Sequence, residues 1–95
     1  MSSRTVYKFR LFVADDTLNS IQASLNLTAL CEAHLKGRHE IEIVDVFLEP
    51  KRALADGIFL TPTLIKLSPL PIRRIVGTLS EPHTVLRALG LAEVA

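Results

Sequence analysis

Sulfur is scarce in this chain. Cys31 is its one cysteine, and a lone thiol cannot close an internal disulfide, form a Cys-x-x-Cys redox pair or build a thiolate zinc cage. Nothing therefore calls for an oxidising compartment. An excess of charge is also missing: eleven Lys and Arg against ten Asp and Glu leave a net +1. That balance supplies no field to hold a phosphate backbone or an anionic lipid surface, so neither nucleic acid nor membrane is expected as a partner. No apolar run approaches the roughly 20 residues of a membrane span, and Met1-Ser2-Ser3-Arg4 leads straight into an alternating segment. A soluble, cytoplasmic chain is the expectation. Internal repeats, low-complexity tracts and linkers are absent. Residues 1–95, 48% hydrophobic, suit one domain with a real core and a thin stability margin.

What is present alternates between two periods. From Val6 to Val13, Tyr7, Phe9, Leu11 and Val13 alternate with Val6, Lys8, Arg10 and Phe12, which predicts a first strand with its basic side partly solvated. Asp15-Asp16-Thr17 breaks the pattern with turn and cap residues. Ile21, Leu25, Leu27, Leu30, Cys31 and Leu35 then recur at helical spacing, predicting a helix over Leu18–Lys36 closed by Gly37. Glu40–Val46 alternates and then turns apolar, as a strand passing from sheet edge toward core does. Glu49-Pro50 opens a short second helix through Ala53 and Leu54 to Gly57. Thr61-Pro62-Thr63 turns the chain into a third strand at Leu64–Leu67. Ser68-Pro69-Leu70-Pro71 joins this to a fourth, Ile72–Val76, ended by Gly77. Ser80 is the expected cap of a third helix, with Pro82 in its first turn and Val85, Leu86 and Leu89 on its apolar side. The order β-α-β-α-β-β-α, with helical crossovers favouring parallel pairing first and a hairpin second, predicts an α/β thioredoxin-like sandwich: a mixed four-stranded sheet and three helices.

On that fold, thiol chemistry sits where the first strand meets the first helix, because the helix N-terminus lowers the pKa of a thiol there. Here the junction reads Ala14-Asp15-Asp16-Thr17-Leu18-Asn19-Ser20, without sulfur. Cys31 falls deep in the helix among leucines, where a thiol acts as a small hydrophobe. Asp15 and Asp16 suit the helix dipole as caps better than acid–base work. His34, His39 and His83 lack the spaced partners of a metal site. No catalytic residue, cofactor or metal is expected. The tight basic pairs Lys51-Arg52 and Arg73-Arg74 are each either a solvated face or part of a docking surface, with at least one arginine of the second pair pointing away from the core. Thr61-Pro62 has an architectural role, with a cis peptide expected at this turn of the fold.

The ordered combination Leu11-Phe12-Val13-Ala14, Thr17, Asn19-Ser20, Val44-Asp45-Val46, Pro50, Thr61-Pro62-Thr63-Leu64, Lys66, Pro69, Pro71, Arg73-Arg74-Ile75, Gly77 and Leu79-Ser80 resembles the KaiB family of bacterial circadian-clock proteins from Tyr7 to Leu91. The resemblance implies a non-enzymatic regulator that binds the ring ATPase KaiC and, in a full clock, draws KaiA into an inhibited complex. It also implies self-association and a second half able to adopt another fold. The partner surface it suggests comprises the second helix, a neighbouring edge strand and the exposed charges Lys51, Arg52, Lys66, Arg73 and Arg74. The chain departs from the clock pattern at four places. Ala88 and Gly90 stand where clock members carry glycine and then aspartate, which favours the helical, thioredoxin-like state. Glu42 and Gly57 stand where lysines are common, and Gln22 lies near a commonly basic position, so a different partner is open. The competing reading is a stress-response or signalling module that binds other proteins.

Overall fold

Alternation of apolar and polar side chains makes β1 (Tyr7–Val13) a strand with two working faces, and both are covered. The computed structural model describes residues 5–91. In chain order β1 is followed by α1 (Leu18–His34), β2 (His39–Asp45), α2 (Pro50–Ala55), β3 (Thr63–Ser68), β4 (Arg73–Val76) and α3 (Pro82–Ala88), the order expected from sequence. The sheet runs β2-β1-β3-β4. β1 and β2 are parallel, whereas β3 is antiparallel to both β1 and β4. Only the first crossover thus yields a parallel pair.

One face of the sheet packs Phe9, Leu11, Val13 and Leu64 against Ala23, Leu27, Leu30 and Cys31 of α1 and Val85 and Leu86 of α3. The opposite face buries Phe12, Val44 and Ile65 beneath Ala53 of α2. Phe12, expected on a partly solvated side, is fully buried because α2 roofs that end of the strand.

Three sequence expectations need correction. The buried stripe of α1 is Ser20, Ala23, Leu27, Leu30 and Cys31. At about 100° per residue these share one arc, and Ile21 and Leu25 fall outside it, leaving them 44% and 65% exposed. The helix also ends at His34, where Leu35 turns out of helical geometry and returns its N–H to the Cys31 carbonyl at 2.7 Å. β2 never leaves the sheet edge: Val44 is its one buried residue, and Ile43 is 48% exposed.

Of the cap residues Asp15, Asp16 and Thr17, it is Thr17 that caps α1, its Oγ1 accepting from the Ser20 N–H at 3.4 Å. α3 starts after Glu81 with Pro82 in the first turn, and Ser80 makes no cap bond; its Oγ accepts from Thr78 Oγ1 at 3.2 Å instead. The end of α3 is a complete Schellman motif, with Leu91 N–H on the Leu86 carbonyl at 2.7 Å and Gly90 N–H on that of Arg87 at 3.1 Å. Gly90 holds φ +77°, the left-handed conformation the motif requires. The Thr61–Pro62 peptide is cis, as are Ser68–Pro69 and Leu70–Pro71.

Candidate partner-binding surface

The β1–α1 junction is closed by hydroxyl groups. Ser20 Oγ accepts from the Ala14 N–H at 3.0 Å and from Thr17 Oγ1 at 2.8 Å. The position that holds a reactive thiol in oxidoreductases of this layout is therefore a hydrogen-bonded knot of hydroxyls with no thiol. Cys31 is fully buried in the core, and desolvation, helped by the nearby Glu32 charge, pushes its thiol up to about 11. A thiol so placed stays protonated. His39 is tied to the Leu35 carbonyl through Nδ1 at 2.9 Å, and among the described residues no three His, Cys, Asp or Glu side chains gather as metal ligands do.

The five basic residues assigned to a partner surface divide sharply. Lys51 lies exposed in the first turn of α2, and Arg73 is exposed on edge strand β4. Arg52 is committed to acidic neighbours, with Nη1 2.7 Å from Glu42 Oε2 and 3.3 Å from Glu49 Oε1. Arg74 is exposed, yet its guanidinium donates to the Asp56 carbonyl and, at 3.4 Å, to the Gly57 carbonyl. It thereby satisfies carbonyls that the end of α2 leaves without helical partners. Lys66 departs from expectation altogether. Expected as an exposed charge, it is 4% exposed, with Nζ 3.4 Å from the Leu89 carbonyl and 5.9 Å from the Tyr7 ring centroid. The alternation that puts Leu64 in the core puts Lys66 on the same face. Burial there pulls its pKa down, with the Arg73 charge adding to the effect.

Alternation also splits Arg73 from Arg74. Arg74 and Val76 turn toward the α2 side, where with Phe59 and Leu60 they line a shallow depression of about 130 Å³. Arg73 shares its parity with Ile75, which packs on the α1–α3 side. The structure thus brings Arg74 to the C-terminal end of α2 and leaves Arg73 on the other face. Around this edge the apolar exposure is high: Phe59 is 89%, Leu54 74% and Leu60 63% exposed.

Sequence reading missed the charge network on the α2 face. Glu42, directly opposite Arg10 across the parallel pair, accepts from Arg10 Nε at 2.9 Å, while Arg10 Nη1 reaches Asp56 at 3.0 Å. Hydrogen bonds from Arg52 and then Arg10 hold the Glu42 carboxyl well below its usual range, at about 2. The signal was the pair of polar alternations, Lys8 and Arg10 in one strand and Glu40 and Glu42 in another. The register that joins them depends on how the crossover helix packs.

Fold and junction together define a thioredoxin-type domain with hydroxyls in place of thiols and an exposed apolar and basic edge beside α2. The structural relatives agree on the fold. The N-terminal domain of Synechococcus elongatus SasA superposes with a TM-score of 0.74 at 16% identity, covering 100% of this chain and 93% of that domain. Mitochondrial thioredoxin 3 of Saccharomyces cerevisiae gives 0.71 at 17% identity, over 92% of this chain and 79% of that one. Sequence gives the family. The KaiB domain matches residues 10–91. The circadian clock oscillator protein KaiB of Synechococcus elongatus is 42% identical over 91 residues, 96% of this chain and 89% of the relative. Its namesake in one Prochlorococcus marinus strain is also 42% identical, over 96% of this chain and 76% of the relative. The chain belongs to the KaiB family.

Proposed function

We propose that this chain is a single-domain, cytoplasmic KaiB-type regulator that has no catalytic activity or cofactor of its own and docks on a KaiC-type ring ATPase. The observation that carries the reading is the KaiB match over residues 10–91, which runs from within β1 to just past α3. The hydroxyl-closed junction is consistent with it, since the fold's usual thiol chemistry has no group to work with. The docking surface in this reading is the edge beside α2. On the α2 side Phe59, Leu60 and Leu54 supply apolar contact and Lys51 supplies charge, and Arg73 adds charge from the other face of edge strand β4; no described acidic side chain pairs with either cation. Arg52 and Arg74 brace the α2 side of that surface through Glu42, Glu49 and the carbonyls ending α2, whereas Lys66 lies buried on the α1–α3 face. A KaiA-like protein enters this scheme only indirectly, through the complex.

The test is co-migration on gel filtration with the KaiC-type ATPase of the same organism, with ATP or ADP present and light scattering for mass. A nucleotide-dependent complex is expected, and Lys51→Glu with Arg73→Glu should weaken it about tenfold while leaving the circular-dichroism spectrum intact. No complex in any nucleotide state overturns the reading. One observation favours a second reading: Glu42, placed where clock members commonly carry lysine, is locked to Arg10 and Arg52. A reversed charge on that strand suits a signalling or stress-response module whose partner is a different protein.

A further inference from the structure

The carboxyl ends of the parallel strands β1 and β2 open into a groove of about 410 Å³ that shares only Glu49 with the charge network and none of its lining with the α2 edge. α1 leaves β1 over one face of the sheet and α2 follows β2 over the other. A crevice at such a point is where open α/β sheets take their ligands. Its apolar wall is drawn from three segments, Ile21 and Leu25 of α1, Ile43 of β2 and Leu48 of the following turn. These are 44%, 65%, 48% and 80% exposed. They are the side chains that the packing of α1 and the edge position of β2 leave without partners in the fold.

The rim is acidic. Asp15, Asp16, Asp45 and Glu49 stand around the groove, and no Lys, Arg or His lines it. Two of the four have internal work: Asp45 Oδ1 accepts from the Phe47 N–H at 2.8 Å, and Glu49 shares Arg52 with Glu42. Asp15 and Asp16 are exposed and make no ion pair among the described residues.

We propose that this groove docks a basic amphipathic segment of a protein partner. Aliphatic side chains on one face of the segment meet the Ile21, Leu25, Ile43 and Leu48 wall, and flanking Lys or Arg side chains meet the carboxylates. The acidic rim repels phosphate backbones and anionic lipid, which share its sign. A second copy laid groove to groove would set carboxylates against carboxylates. A basic amphipathic segment satisfies the wall and the rim together. The inference does not rest on docking to the ring ATPase, whose proposed apolar contacts Leu54, Phe59 and Leu60 lie at and beyond the other end of α2.

The test titrates the full, isotope-labelled chain with two synthetic helical peptides of about 18 residues, one patterned with Leu and Lys, the other with Leu and Glu. The Lys peptide should shift saturably the amide resonances of Ser20–Leu25 and Ile43–Glu49, and the Glu peptide should shift neither. Replacing Asp15→Asn and Asp16→Asn should weaken binding about five- to tenfold, and raising salt should weaken it further. Leu25→Gln, at a solvent-facing position that leaves the core intact, should weaken it about tenfold. Four results overturn the proposal: no saturable shifts, shifts spread over other faces, equal binding of the Glu peptide, or unchanged affinity in both variants. Concentration-dependent broadening confined to the groove without peptide, relieved by Leu25→Gln, would give the groove to a second copy and overturn it as well.

Discussion

Giving α3 the residues that the clock pattern carries, Ala88→Gly with Gly90→Asp, should destabilise the folded second half by about 1–2 kcal/mol. Ala88 is the last residue of α3, so glycine there costs less than the full interior penalty of about 1 kcal/mol. Gly90 holds φ +77°, and a Cβ built on it meets nothing within 4 Å. The cost of a side chain is therefore conformational rather than steric, about 1 kcal/mol for a residue forced into the left-handed region. The double variant's melting midpoint should fall by roughly 6–12 °C, since 1 kcal/mol moves a domain of this size by about 4–8 °C. Gly90→Ala alone should produce more than half of that fall. The same 1–2 kcal/mol shifts a two-state balance about five- to thirtyfold, so NMR secondary shifts over Pro82–Ala88 should lose helical character if an alternative topology lies within reach. Melting within 2 °C of the parent, together with unchanged secondary shifts, would refute both the capping argument and the idea that Ala88 and Gly90 bias the fold state.

Other perturbations read other parts of the structure. Glu42 has a folded pKa depressed to about 2 from 4.5, so the stability it adds is present above pH 4.5 and disappears as pH falls toward 2. Glu42→Gln should melt lower at pH 7 and show a shallower loss between pH 5 and 2, measured by thermal denaturation across that range; an identical slope would detach Glu42 from acid sensitivity. Lys66→Met keeps the aliphatic stem and removes a desolvated charge, so it should change stability by no more than about 1 kcal/mol, in the stabilising direction, in a chemical-denaturation series. A loss of several kcal/mol would show that the contact with the Leu89 carbonyl matters more than its geometry implies. Cys31 should resist a thiol-specific chromogenic reagent at pH 8 in the native protein and react fully in denaturant, because burial holds the thiol up at about 11. Rapid native labelling would contradict its place in the core.

Element identities were legible because each rests on local chemistry: period two in β1 and β2, an apolar run in β3, proline at the first turns of α2 and α3, glycine after α1 and β4. The errors share a cause, since each needed to know which elements lie on which face. The leucines and isoleucine of α1 outnumber what one stripe can hold, and nothing in the spacing says that the arc through Ala23, Leu27 and Cys31 wins over the one through Ile21 and Leu25. The choice belongs to the sheet, where Ala23, Leu27 and Cys31 join Leu11 and Val13 in one buried cluster. Phe12 and β2 differ from expectation for the same reason: α2 covers the far end of β1, and among the described residues β2 has a strand on one side only.

The basic residues carry that argument to function. Chemistry alone makes Lys51, Arg52, Lys66, Arg73 and Arg74 equivalent candidates for an exterior role, and the fold uses three of them inwardly, in an ion-pair network, beneath α3 and across the carbonyls ending α2. Surface charge pairs contribute little to affinity, whereas aromatic and aliphatic side chains anchor interfaces. Phe59, 89% exposed beside Leu60 and Arg74, is therefore a stronger candidate for the centre of the partner surface than any of the five cations. It drew no notice in the sequence because a loop aromatic between Ile58 and Leu60 reads as the approach to a strand. The fold instead leaves its ring in solvent at the depression it lines with Leu60, Arg74 and Val76.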